Sequence, residues 1–206
     1  MQRENYFIKG LYFFKKGVYD KSLFYLNKNI KTNPTHTPSY YFLGRIFFFK
    51  KNYLFAKEYF ELCISTDKNN DFFNLHLGKT LLALKEFENA IKYINIYTKT
   101  RKDGFFYLGL AYYNLNDFKT SCNCFFKCED FLTDKKLFRI AYSASLFNYA
   151  NQLYIKEDVK NAKELFLKSI SLNNEAYPSY FQLGLIYLFE NDFENSKKIF
   201  EFLNSV

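Results

Sequence analysis

Along the chain, apolar residues recur at the three- and four-residue spacing of amphipathic helices, and small residues punctuate them at one phase. Five of the seven glycines, Gly10, Gly44, Gly78, Gly109 and Gly184, lie inside such segments. A glycine within a helix costs about 1 kcal/mol relative to alanine, so its recurrence needs a packing reason. Gly10, Gly44 and Gly78 stand 34 residues apart and Gly109 follows after 31; Ala150 takes the same place 34 residues before Gly184. Other residues keep step with them. Nine positions on stand Tyr19, Tyr53, Phe87, Phe118, Val159 and Phe193. Twelve on stand Ser22, Ala56, Ala90, Ser121, Ala162 and Ser196, and sixteen on stand Leu26, Phe60, Ile94, Phe125, Phe166 and Phe200.

Each copy predicts a helical hairpin. The glycine or alanine of the first helix and the alanine or serine of the second let two backbones approach, and the residue nine on is expected to fill the bend. Tyr6, Tyr40, Phe105, Leu146 and Tyr180 lie four before the small site, and Phe13, Phe47, Leu81, Tyr112, Leu153 and Tyr187 three after it, marking the core stripe of the first helix. Pro38 and Pro178 suit the opening of first helices, where a missing N–H is harmless. From Gly109 to Ala150 the interval is 41, seven beyond the repeat, or about two helical turns. That predicts one long helix over 134–154, with Thr133 as candidate N-cap and an insertion at 136–142 that projects from the stack.

These residues resemble the tetratricopeptide repeat family. Tyr180-x2-Leu183-Gly184-x2-Tyr187 with Ser196-x3-Phe200 follows its pattern, as does Tyr40-x2-Leu43-Gly44-x2-Phe47 with Ala56-x3-Phe60. The approximate units are 3–36, 37–70, 71–101, 102–135, 143–176 and 177–206. Trp is absent, only Pro34 closes a repeat, and Asn74 and Lys9 stand where the pattern is apolar. The resemblance implies an all-α fold: an α-solenoid of about six hairpins in a right-handed superhelical array, forming a single domain over 1–206. It also implies that first helices line a concave side.

Composition agrees. Only 7 Gly and 3 Pro in 206 residues leave too few turns for a β-sandwich, and 22% aromatic residues exclude disorder. No uncharged apolar run reaches the roughly 18 residues of a membrane span. The start, with Lys9 inside its apolar run, does not read as a secretory signal. Four cysteines fit a reducing compartment, so a cytoplasmic location is expected. Charge is uneven. Residues 1–103 hold 18 Lys and Arg against 9 Asp and Glu, whereas 104–206 hold 11 against 12. A solvated lysine coat explains this; the alternative is a basic RNA-binding or membrane-surface adaptor using the N-terminal half.

A second stripe runs beside the core stripe of the first helices, and within it Phe7, Phe14, Tyr41, Arg45, Phe48, Lys79, Phe106, Tyr113, Phe147, Asn151, Tyr154 and Phe181 are the candidate partner-binding residues. They suit a partner's helix or peptide, with Arg45 and Lys79 favouring acidic flanks. The competing reading is that these rings pad contacts between neighbouring hairpins. The lysine–asparagine carboxylate clamp of some family members is not carried over. Its places hold mostly Phe, Tyr or Leu, with only Asn148, Asn151 and Gln182 polar near the end.

Cys122, Cys124 and Cys128 do not make a metal site: Cys122 points away from the other two, and His36 and His76 belong to distant units. The thiols read as core residues. No phosphate loop or nucleophile motif appears, so neither an enzyme nor a cofactor is expected. The last hairpin carries Phe200, Phe202 and Leu203 with no polar cap, which suggests docking of another chain, self-association, or membership of something longer.

Overall fold

The computed structural model describes residues 5–132 and 134–206. Twelve α-helices fill them, with one 3₁₀ turn at Lys102–Gly104 and no strand among the described residues. They form two compact units, Met1–Gly104 and Phe105–Val206. The first unit holds α1 (Tyr6–Lys15), α2 (Tyr19–Thr32), α3 (Thr37–Phe49), α4 (Tyr53–Thr66), α5 (Asp71–Ala83) and α6 (Phe87–Thr98). The second holds α7 (Phe105–Asn114), α8 (Phe118–Leu132), α9 (Lys136–Ile155), α10 (Val159–Leu172), α11 (Tyr177–Phe189) and α12 (Phe193–Asn204). Within each unit every odd-numbered helix pairs with the next, and each hairpin packs on the one that follows it.

One turn closes all six hairpins. Seven residues beyond each small residue the backbone enters the left-handed region, at Gly17, Lys51, Lys85, Asn116, Glu157 and Asn191, with φ between 59° and 72°. The N–H of that residue and the next reach back to carbonyls of the last helical turn, as when Lys51 N donates to Phe48 O and Asn52 N to Phe47 O. This pair of bonds satisfies carbonyls that the helix end leaves open. The second helix starts two residues later. Tyr19, Tyr53, Phe87, Phe118, Val159 and Phe193 are therefore first residues of second helices, not fillers of the bend.

The small residues sit where predicted. A Cβ on Gly44 would lie 2.8 Å from the Phe60 ring, and one on Gly78 only 2.4 Å from Ile94 Cγ1. Ala56, Ala90, Ala150 and Ala162 are fully buried. The serines at the same repeat position add a bond that alanine lacks. Ser22 donates to the Gly10 carbonyl at 2.8 Å, Ser121 to that of Gly109 at 2.8 Å and Ser196 to that of Gly184 at 3.0 Å. In the second unit, serine hydroxyls also join hairpin to hairpin, Ser121 meeting Ser145 and Ser169 meeting Ser179, while Ser143 meets Ser169 within the α9–α10 hairpin.

Helix α9 is long, as the 41-residue interval required, but its added turns do not project. Phe138 and Tyr142 are 1% and 2% exposed and pack against Phe125 in one buried cluster with Cys122, Cys128 and Leu146. Two extra turns return the helix to nearly the same phase, so the inserted apolar residues continue the core stripe instead of leaving it. The helix begins at Lys136, after Lys135 as a cap with no side-chain bond. Thr133, the expected cap, lies outside the described residues.

Candidate functional site

In the first unit the candidate residues come from α1, α3 and α5, and all are half-buried. The Phe7 ring meets His36 edge-on at 4.6 Å, and Phe14 meets Phe42 at 5.0 Å. Arg45 lies among these rings, its guanidinium 4.8 Å from the Phe14 centroid and 5.6 Å from those of Tyr41 and Phe42. Such contacts hold the cation in place. Phe48 packs against Tyr53 at 5.4 Å, with the Lys79 ammonium 6.0 Å from its centroid.

Between these side chains is a pocket of about 130 Å³, lined by Arg45, Phe48, Phe49, Phe60, His76 and Lys79. Two cations, an imidazole and three phenyl rings face one space, and none of the six is acidic. His76 stacks on Tyr41 at 5.2 Å and 16° and meets Phe60 at 5.5 Å. Its burial, and then the charges of Lys79 and Arg45, lower its pKa to about 3. The imidazole is thus neutral at physiological pH, and the charge of the pocket is that of the arginine and the lysine. Burial also raises the Tyr41 phenol against the opposing pull of Arg45.

The structure brings Arg45, Phe48 and Lys79 together at this pocket, with Tyr41 behind His76. Phe14 flanks it through the Arg45 stack, and Phe7 lies beyond Phe42, at 6.1 Å from that ring. Sequence reasoning missed His76, set aside as too remote to ligate a metal. It lies one turn before Lys79 on α5, on the face that Lys79 shares. Phe49 and the repeat residue Phe60 complete the lining.

The second unit treats its candidates differently. Phe106 packs against Phe125 at 6.0 Å and Phe138 at 6.4 Å, so it serves the core. Phe147 meets Phe166 at 6.0 Å. Tyr113 meets Phe118 edge-on at 5.5 Å, and its hydroxyl accepts from Asn148 Nδ2 at 3.4 Å. Asn148 also donates to the Ala144 carbonyl, so this polar residue is engaged within the fold. Asn151 and Tyr154 are half-buried, while Phe181 is 49% exposed with its edge toward Phe200. These ring contacts lie mainly within one hairpin, first helix to second, while Phe106 through Phe138 and Tyr113 through Asn148 also reach the next.

All four cysteines are free and buried. Burial pushes Cys63 and Cys122 up to about 12 and Cys124 to about 11, which keeps them protonated thiols at neutral pH. Cys128 directs its thiol to the carbonyls of Cys124 and Phe125. Among the described residues no helix is long and apolar enough to cross a membrane.

Comparison with known proteins finds one repeat family in two segments of the chain. The sequence model of the tetratricopeptide repeat matches residues 37–70 and 177–201. No curated protein matches the chain. Several solved structures share its fold. MamA from Desulfovibrio magneticus RS-1 is 17% identical with a TM-score of 0.68, covering 84% of this chain and 98% of that one. YrrB, whose structure is described as that of a TPR protein with an unusual peptide-binding site, is 13% identical with a TM-score of 0.64, covering 85% and 89%. Pseudomonas aeruginosa PilF is 16% identical with a TM-score of 0.61, covering 94% and 86%. Two hairpins of the chain, 37–70 and 177–201, therefore match the tetratricopeptide repeat by sequence, and its helices have the fold of these solved structures.

Proposed function

We propose that the chain is a non-catalytic, cytoplasmic interaction module, and that its first unit captures a partner's helix or peptide by an acidic side chain. The observation that carries this reading is the pocket between α3 and α5. Arg45 and Lys79 supply positive charge in a half-buried setting, and Phe48, Phe49 and Phe60 surround it with apolar surface. A volume of about 130 Å³ equals roughly four waters, enough for one carboxylate-bearing side chain. The carboxylate would meet a guanidinium already fixed by four aromatic rings, so little side-chain freedom remains to be lost on binding. The half-buried rings of Phe7, Phe14 and Tyr41 supply the flanking apolar contact. In the second unit, exposed Phe181 and half-buried Tyr113, Asn151 and Tyr154 support a further contact face. The four buried free thiols support the cytoplasmic setting, and YrrB supports peptide capture as a use of this fold.

The test is fluorescence anisotropy with synthetic amphipathic peptides carrying Glu, each paired with its Gln isostere. The acidic peptides should bind more tightly, and Arg45→Ala with Lys79→Ala should bring their affinity down to that of the Gln peptides. Phe48→Ser should weaken both sets. Equal affinity of the Glu and Gln peptides for the unaltered chain would refute the reading.

A further inference from the structure

We propose that the edge of the first unit formed by its three helix-to-helix turns docks on the surface of an anionic lipid bilayer. This goes beyond the peptide pocket and shares only Phe49 with it. Three observations place the turns together. Helix α3 packs against both α1 and α5. The Lys50 ammonium, at the end of α3, meets Asp20 at the start of α2 at 2.5 Å. Lys57, near the start of α4, meets Glu86 in the α5–α6 turn at 2.9 Å. The ion pairs fasten hairpin to hairpin at this end, so the turns follow one another along one edge.

What that edge presents is lysine interleaved with apolar residues. Lys16, Lys51 and Lys85 are exposed, one in each turn. Between them stand Val18, Phe49 and Leu54, exposed by 41%, 49% and 65%. Asp20 and Glu86 are already engaged by Lys50 and Lys57, and exposed Glu88, in the first turn of α6, is outnumbered by Lys16, Lys51 and Lys85. The remaining charge is therefore positive. The backbone makes the same point. Lys51 and Lys85 occupy the left-handed turn position at φ of 59° and 63°, where the second unit places Asn116 and Asn191 in two of its three turns. Glycine and asparagine hold that conformation more readily than lysine. Charge stands at these two tips despite a backbone that disfavours it.

The chemistry selects a bilayer over a nucleic acid. Lysine is a hydrated point charge on a flexible apolar stem that reaches headgroup phosphates while its methylenes stay lower. Exposed Val18, Phe49 and Leu54 suit the headgroup–acyl boundary, as on peripheral proteins that combine a basic patch with apolar anchors. RNA is read by arginine forks and stacked rings in grooves. The arginines described in this unit lie elsewhere, Arg45 over Phe14 and Arg101 over Phe72.

The experiment is co-sedimentation of the full chain with phosphatidylcholine vesicles and with vesicles containing about 30% phosphatidylserine, the anionic lipid that draws basic segments. Binding to the anionic vesicles alone is expected. Lys51→Asn combined with Lys85→Asn should weaken it about tenfold or more while leaving the thermal midpoint equal or higher, because asparagine suits the left-handed turn. Val18→Ser with Leu54→Ser, both outside the pocket, should also lower binding. No binding to anionic vesicles, or equal binding by the double lysine variant, overturns the proposal. So does capture of a single-stranded RNA oligonucleotide through these lysines in place of vesicles.

Discussion

The His76 imidazole offers the most direct check on the pocket, because its environment predicts a signed effect of pH on folding. Burial and the neighbouring Lys79 and Arg45 lower its pKa from 6.5 to about 3. A group whose folded pKa is depressed below its unfolded value by suppression of the cationic form takes up its proton only after unfolding. The unfolded chain therefore gains stability as pH falls below 6.5, and the native state does not recover it until about pH 3. Between pH 7.5 and 5.0 this residue alone should remove about 2 kcal/mol of stability. Replacing it with phenylalanine keeps a ring to stack on Tyr41 and Phe60 and removes the titration. Urea unfolding followed by circular dichroism, run on both proteins at several pH values from 7.5 to 5.0, isolates the term. Losses from carboxylates such as Glu86, whose pKa is lowered by its bond to Lys57, occur in both and cancel. The stability difference between His76→Phe and the unaltered chain should move in favour of the variant by about 2 kcal/mol across this window. Parallel pH profiles would show that the imidazole is not held neutral beside the two cations, and the electrostatic account of the pocket would fall with it. The same imidazole gives the direction for ligand binding. A carboxylate seated by Arg45 and Lys79 offsets the field that suppresses His76, so its pKa rises in the complex and affinity for an acidic peptide increases as pH falls.

Other outcomes follow from packing. Gly78→Ala should destabilise by about 1–2 kcal/mol, since its Cβ would press on Ile94 Cγ1 at 2.4 Å, beyond what the gain in helix propensity offsets. Gly184→Ala meets Phe200 Cζ at 2.9 Å and Ile199 Cγ2 at 3.2 Å and should cost less than Gly78→Ala; thermal melts giving the reverse order would contradict the assigned contacts. Ser121→Ala removes its bonds to the Gly109 carbonyl and Ser145 and should cost about 1 kcal/mol in chemical unfolding. Phe48→Ser and Tyr113→Ser, both at half-buried rings, should leave a cooperative melt while peptide binding measured by anisotropy falls. Binding at the groove should also change little between about 50 and about 200 mM salt, unlike a phosphate-driven complex, which weakens steeply.

The hairpins were legible because two backbones in contact leave a residue-level trace. Gly10 faces Leu26, Gly44 faces Phe60 and Gly109 faces Phe125, each sixteen residues on, so the pairing is written as a fixed spacing of one small and one large residue. The turn was less legible. Its left-handed residue is Gly or Asn in three hairpins but Lys51, Lys85 and Glu157 in the others, and composition alone does not mark those as a conformational class. Serine at the close-contact position read only as small, because its second property, a hydroxyl aimed at the Gly10, Gly109 or Gly184 carbonyl, depends on a neighbouring helix. The same limit explains α9. Seven extra residues fixed the helix phase, but whether Phe138 and Tyr142 met solvent or Phe125 depended on what lay opposite them.

The candidate site shows where periodicity stops being informative. A stripe on one helix identifies which side chains share a face, and that found Tyr41, Arg45 and Phe48 on α3 and Lys79 on α5. A pocket, however, belongs to the gap between helices, and its floor comes from residues that other stripes claim. Phe60 was assigned wholly to the repeat core and His76 to no role, yet both line the space that Arg45 and Lys79 charge. Their presence changes the chemistry. With phenyl rings and a neutral imidazole around them, the two cations face a medium less polar than water, where attraction for a carboxylate is stronger and screening by salt is weaker. The positions that gave the fold its regularity and the one residue that departs from it are thus joined in a single pocket. A substitution at Phe60 should for that reason disturb stability and acidic-peptide affinity together, whereas one at Lys79 should act on affinity with little effect on the fold.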